Sequence, residues 1–185
     1  GMITYPPAFH LPSCWQLRQN AQLHLLWARL NNTRELWCTI DRVTLTLPTQ
    51  GPTTVSRLNP RWEAYDPWSP NAQQDAIPLK GRVNITESDF HFVEGSHRPA
   101  FQNEFVKDYD GLAPATSGTV RTCIEISSAN NNGDLYKLAE NIKSAKCPKG
   151  SMVLWSSALM IAHRPNTTQR IQHHFYLSYF PAENH

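Results

Sequence analysis

The sequence predicts a mainly β domain, a sandwich or barrel, with an N-terminal helix packed on the sheet. Three observations carry that expectation. One stretch, Ser13 to Leu30, has helical periodicity, and the segments after it alternate at the period of a strand. Fourteen prolines against eight glycines in 185 residues divide the chain into short extended pieces rather than a helical bundle. With 40% hydrophobic and 17% charged residues the chain can build one core, and a single domain over residues 1–185 is expected.

In the expected helix Leu17, Ala21, Leu25 and Ala28 recur on one face, Leu23, Leu26, Trp27 and Leu30 widen it, and Pro12-Ser13 offers a start. Asn31-Asn32-Thr33 ends it. From Leu36 to Leu47 the pattern becomes that of a half-buried strand, with Val43, Leu45 and Leu47 alternating with Thr44 and Thr46. Gln50 to Ala76 reads as a long proline-rich loop, a length that usually marks function or wraps the core. Further strands are expected at 79–86, 90–93, 119–127, 151–155 and 171–180. A second helix is expected from Asp134 to Ala145, on the stripe Leu135, Leu138 and Ile142.

The net charge of +2 offers no dedicated nucleic-acid or membrane surface. No apolar run reaches the roughly 20 residues that span a bilayer. The stretch Ile3 to Pro12 is short, proline-rich and uncharged, unlike a secretory leader, so a cytoplasmic protein is expected. The four cysteines Cys14, Cys38, Cys123 and Cys147 lack metal-binding spacing and read as buried thiols. Ser156-Ser157 near His163 has no elbow glycines, and no phosphate loop is present.

Four ordered segments carry a resemblance. They are Glu35-Leu36-Trp37-Cys38-Thr39-Ile40-Asp41-Arg42-Val43, Asp66-Pro67-Trp68, Val93-Glu94-Gly95-Ser96-His97-Arg98, and the stretch from Gly150-Ser151-Met152-Val153-Leu154-Trp155 through His163 to Arg170. With Tyr179-Phe180-Pro181 at the end, they resemble the phytanoyl-CoA dioxygenase-like branch of the Fe(II)/2-oxoglutarate oxygenases over residues 20–182. The resemblance implies a double-stranded β-helix (jelly roll, cupin-like). In such proteins a His-x-Asp pair and a distant histidine hold iron, leaving positions for the keto acid and oxygen. An arginine on the last core strand grips the acid's distal carboxylate.

Carried over residue by residue, His163 matches the distant histidine and Arg170 the carboxylate-binding arginine. Arg170 shares strand parity with Gln172, His174 and Tyr176, so His174 and Tyr176 are expected to line the acid site with it. Alignment on Asp66-Pro67-Trp68 puts Trp62 and Ala64 where the His-x-Asp pair belongs, and neither can bind iron. Glu63, Asp66, His91, His97 and His174 are the candidates to rebuild a metal site with His163. Trp62, Tyr65 and Trp68 are expected to plug or line the former cavity.

Three functions stay open on this reading. The first is a degenerate oxygenase relative that binds a small acid or a protein partner. The second is an active enzyme that uses Fe(II) and 2-oxoglutarate through substituted ligands and hydroxylates a small molecule. The third is a non-enzymatic jelly-roll binding or structural protein with no cofactor. No nucleic-acid or membrane partner is expected.

Overall fold

The computed structural model describes residues 2–4, 9–49, 60–63, 78–108, 123–125 and 141–182. Its helices are α1 (Pro12–Arg18), α2 (Ala21–Asn31) and α3 (Pro99–Asp108). Its strands are β1 (Met2–Thr4), β2 (Leu36–Cys38), β3 (Val43–Thr46), β4 (Arg61–Glu63), β5 (Leu79–Asn84), β6 (Ser88–Val93), β7 (Cys123–Glu125), β8 (Ile142–Cys147), β9 (Met152–Ser156), β10 (Ile161–Ala162), β11 (Gln172–Leu177) and β12 (Tyr179–Pro181).

Two five-stranded antiparallel sheets form the body, in the orders β1-β3-β11-β5-β9 and β7-β4-β10-β6-β8. β2 pairs with β12 in a separate ribbon. Phe90 and Cys147 from the second sheet, Trp155 and Tyr176 from the first, and Ile161 of β10 form one buried cluster. The two inner faces therefore meet there. Mainly β architecture with few helices is what the sequence led us to expect.

The expected single helix is two. Asn20 interrupts it, because its side chain accepts from the backbone N–H of Gln22 (2.9 Å) and Leu23 (3.2 Å) and so caps a new helix. Asn32, in the left-handed region at φ 53°, ends α2. Pro12 is the first residue of α1, and Leu11 before it contributes no side-chain cap. From α2, the fully buried Trp27 reaches a second cluster with Val83, Phe175 and Leu177 on the outer face of the first sheet. Burying such an indole contributes roughly 4 kcal/mol on area arithmetic. Arg18 ties α1 down by donating to the carbonyls of Phe9 (2.7 Å), Thr39 (3.3 Å) and Asp41 (3.4 Å).

Other boundaries also move. The strand expected at 36–47 divides into β2 and β3, and that at 171–180 into β11 and β12. In β3 it is Thr44 that is buried, while Leu45 and Leu47 are partly exposed, the reverse of the expected faces. The expected second helix is overturned where it can be seen: residues 142–145 begin β8, paired with β6 from Ile142↔Val93 to Cys147↔Ser88. There, cross-strand pairing overrides a helical spacing of apolar residues. Residues 134–140 lie outside the described residues, as does nearly all of the expected loop at 50–76, Pro60 to Glu63 excepted. Strand 119–127 is described only as β7.

α3 was not expected, although Pro99 at its start and the stacked pair Phe101–Phe105 (6.0 Å) are ordinary helix signals. Cys14 and Cys147 are buried, as expected, whereas Cys38 is half-buried.

Candidate functional site

Strand parity fixes what faces the interior. In β10, Ile161 pairs with Arg61 and with Phe92, and Ile161 and Phe92 belong to the core between the sheets. Residues opposite one another on antiparallel strands project to the same side. Arg61, and Glu63 two residues on, therefore face inward, and both charges act on His163, just past β10. In the first sheet Tyr176 pairs with Arg82, and His174 with Thr44 and Asn84. These five side chains share the opposing inner face.

The result is an interior half apolar and half charged. Glu63 is 7% exposed, and its Oε1 accepts from Arg61 Nε (2.9 Å), Arg61 Nη2 (2.7 Å) and Arg42 Nη2. Burial alone would raise the Glu63 carboxyl, but Arg42 and Arg61 outweigh it and hold the group below the ordinary carboxylate range. Arg42 lies over the Tyr176 ring, 4.2 Å from its centroid. Asp41 is 4.0 Å from Arg42 and partly exposed.

Arg82 is held differently. It is 5% exposed, and among the described residues its Nη2 reaches Ser88 Oγ (3.4 Å) and the carbonyl of Asp89 (3.3 Å). Its guanidinium lies over the Phe90 ring at 5.1 Å. Among the described residues no carboxylate pairs with it.

Both interior histidines are neutral near pH 7. His163 is pushed down to about 3, first by burial and then by Arg61, Arg42 and Arg82, with Glu63 opposing. His174 is also pushed down to about 3, by burial, Arg82 and His173. His174 Nδ1 meets Thr44 Oγ1 at 3.3 Å. Among the described residues, the buried nitrogens Arg42 Nε, Arg82 Nε, His163 Nε2 and His174 Nε2 find no hydrogen-bond partner. Buried polar atoms are rarely left so.

Several expectations change here. Arg170 is exposed and precedes β11, so it does not share the interior with His174 and Tyr176, which are buried at 5% and 3%. Its carbonyl instead accepts from Asn166 Nδ2 (2.7 Å) in a surface turn. Trp62 faces away from His163: it is fully buried, donates from Nε1 to the Ala158 carbonyl (2.9 Å) and meets Phe105 edge-on at 5.0 Å. On β4 it is thus Arg61 and Glu63, not Trp62, that face the interior with His163. Ala64, Tyr65, Asp66 and Trp68 lie outside the described residues.

His97 is exposed in the turn after β6. His91 alternates with Phe90 and Phe92 and so lies on the outer face of β6, where burial and Arg164 lower its pKa. Neither joins His163, so a metal site rebuilt from them is not formed. Glu63 shares the interior with it, and its charge acts on the ring. Among the described residues no group of three or more His, Cys, Asp or Glu is placed to hold a metal ion.

Sequence reasoning missed Arg42, Arg61 and Arg82. For Arg82 a signal existed: Lys80, Arg82 and Asn84 alternate with Leu79, Gly81 and Val83. The alternation separates two faces without saying which one is inside.

Neither a protein-family model nor a curated protein matches the chain. Solved structures do. AviO1 from Streptomyces viridochromogenes Tue57 aligns over 98% of this chain and 67% of its own at 12% identity, with a TM-score of 0.57. The fold is shared. The epimerase SnoN, solved with Fe3+, alpha ketoglutarate and nogalamycin RO, aligns over 98% and 63% at 12% identity and TM-score 0.57. EctD from S. alaskensis, solved with 2-oxoglutarate and 5-hydroxyectoine, aligns over 99% and 57% at 16% identity and TM-score 0.58. The chain thus spans about two thirds or less of these proteins' lengths. No described helix is long and apolar enough to cross a membrane.

Proposed function

We propose that this chain is a double-stranded β-helix protein of the Fe(II)/2-oxoglutarate oxygenase superfamily, near its phytanoyl-CoA dioxygenase-like branch. On this reading it has no working iron site and binds a small dicarboxylic acid between its sheets. The observation that carries the reading is Arg82, a guanidinium 5% exposed with no carboxylate partner among the described residues. A buried charge is costly unless it is paired, and a planar guanidinium suits a carboxylate. The bound 2-oxoglutarate of EctD and alpha ketoglutarate of SnoN, proteins of the same fold, make a keto diacid the first probe.

Among the described residues iron finds no site: Glu63, the carboxylate whose charge acts on His163, is held by two guanidinium groups, and the position two residues before it on the strand is itself a guanidinium. The chain's own groups would bind rather than transform. Arg82 anchors one carboxylate, and Arg42, with its free Nε, reinforces the positive interior. His163 and His174, both neutral, offer N–H or lone pair without adding charge.

Thermal melting with 2-oxoglutarate, with and without Mn(II), tests this. An acid present at 100 times its Kd adds about 2.7 kcal/mol, a rise of roughly 5–10 °C for a domain of this size. The rise should need no metal, disappear in Arg82→Gln and survive in Arg170→Ala. Loss of the rise in Arg170→Ala with retention in Arg82→Gln would return the anchor to the surface turn and sink the reading.

A further inference from the structure

We infer that Asn84 is a positioning residue for the acid site: acting through Ser88, it fixes the Arg82 guanidinium and leaves its Nε–H for the ligand. The inference rests on the reading that a bound acid pairs with Arg82. A continuous chain of hydrogen bonds, from Ser151 through Asn84 and Ser88 to Arg82, carries it.

Asn84 ends β5 and is fully buried, on the same side of the strand as Arg82. Its Nδ2 donates to the Ser151 carbonyl (3.2 Å) and to Ser151 Oγ (3.1 Å). A carbonyl accepts only from the NH2 end of an amide, so the side chain has one orientation and Oδ1 is turned to Ser88. Ser151 Oγ donates its own hydrogen to the Pro148 carbonyl (2.6 Å), which leaves it an acceptor for Asn84. Ser88 opens β6, and its Oγ donates to Asn84 Oδ1 (3.1 Å). With that hydrogen committed, the hydroxyl turns a lone pair to Arg82 Nη2 (3.4 Å).

These contacts aim Arg82 without neutralising it. Ser88 Oγ and the Asp89 carbonyl lie 3.4 and 3.3 Å from Nη2, beyond the usual span of about 2.7–3.2 Å, and neither is charged. Both belong to the second sheet and Arg82 to the first, so Nη2 is tied from across the interior. Nε is buried and finds no acceptor among the described residues. Phe90, with its ring centroid 5.1 Å from the guanidinium carbon, covers the face of the group, and a carboxylate binds such a group at its edge. An aspartate at position 84 would reverse the arrangement. It would set an oxygen against the Ser151 carbonyl and a negative charge one hydroxyl away from Arg82. The neutral amide keeps the charge of Arg82 for an incoming anion.

The test compares wild type with Ser88→Ala, Ser88→Thr and Asn84→Asp. Metal-free calorimetry measures the affinity for 2-oxoglutarate, and the nitrogen–proton NMR resonance of Arg82 Nε, identified by its loss in Arg82→Gln, reports on the guanidinium. In wild type the acid should move that resonance. Ser88→Ala should bind the acid about tenfold more weakly, the factor an oriented hydrogen bond contributes. Ser88→Thr keeps the hydroxyl and should stay within about threefold of wild type. Asn84→Asp should bind more weakly than Ser88→Ala, because its charge competes with the ligand; if it does not fold, the two Ser88 variants decide. A role confined to folding would lower the melting temperatures and leave affinity and resonance as in wild type.

Equal affinity in wild type and Ser88→Ala, or equal weakening in Ser88→Ala and Ser88→Thr, would overturn this inference and leave the acid reading standing. Acid that binds without moving the Arg82 resonance, or does not bind wild type at all, would overturn both.

Discussion

Glu63→Gln is the sharpest probe of the charged interior. The substitution keeps shape and one acceptor oxygen but removes the charge that neutralises Arg61 and Arg42. Glu63 and Arg61 are each 7% exposed, while the Arg42 side chain is 25% exposed and keeps some solvation. Unit charges about 4 Å apart interact by about 4 kcal/mol at an effective dielectric of 20. Removing one partner of a buried pair typically costs about 3–5 kcal/mol. The retained acceptor and the partial solvation of Arg42 favour the lower end. We expect a loss of about 3 kcal/mol at pH 7, a fall in Tm of roughly 6–12 °C at this chain length.

The pH dependence gives the second half of that prediction. Because the folded-state pKa of Glu63 is depressed, its contribution is complete above the unfolded value, about 4.3, and is lost as pH falls through the folded value. The gap between wild type and Glu63→Gln should therefore narrow below about pH 4. Urea unfolding at pH 7, 5 and 3.5 measures it. A loss under about 1 kcal/mol at pH 7, or a gap that stays constant into acid, would refute the ion-pair account.

Two further predictions concern the same interior and its cover. His163 and His174 resist protonation until about pH 3, whereas the unfolded chain takes up those protons near 6.5. Stability should fall as pH drops from about 6.5 towards 3, each histidine adding a slope of about 1.4 kcal/mol per pH unit; His174→Gln should remove one such slope, and a flat profile from pH 7 to 4.5 would mean that the histidines are charged inside. At Gly81 a Cβ would meet the Leu177 carbonyl at 2.8 Å and Trp27 Cζ2 at 3.0 Å, as well as Met152 Cε. Backbone cannot yield as a side chain can, so Gly81→Ala should cost about 1–3 kcal/mol in urea unfolding, and an unchanged midpoint would contradict the close packing of α2 on β5.

The sequence showed the strands better than it showed their faces. β5, β9 and β11 lie close to where alternation put them, because period 2 is a local property of the chain. It also separated His174 and Tyr176 from Phe175 and Leu177 correctly, and those sets do lie on opposite faces. Which face is inside is not local. The apolar face of the first sheet is turned outward under α2, where Trp27 covers Val83, Phe175 and Leu177, and the polar face is turned inward. Thr44 is buried for that reason, against the usual rule that the apolar face marks the core.

The same inversion explains the misplacement of the site. Arg170 has the parity of His174 and Tyr176, but the strand begins only at Gln172, and parity counts only along a continuous strand. Trp62 and Ala64 were aligned through Asp66-Pro67-Trp68, yet the pairing of Arg61 with Ile161 turns the neighbouring residues inward instead. A one-residue offset exchanges one whole face of a strand for the other.

That offset alters the chemistry. With Trp62 inside, the interior would be a plugged cavity; with Arg61 and Glu63 inside, it is a field of guanidinium groups. Replacing a buried ion pair with apolar side chains is often neutral or stabilising, so stability alone gives little reason to keep Arg61, Arg42 and Arg82 between two sheets. Glu63 accounts for the first two. Arg82 has no such partner among the described residues, and on the proposed reading its cost is what a bound acid would offset.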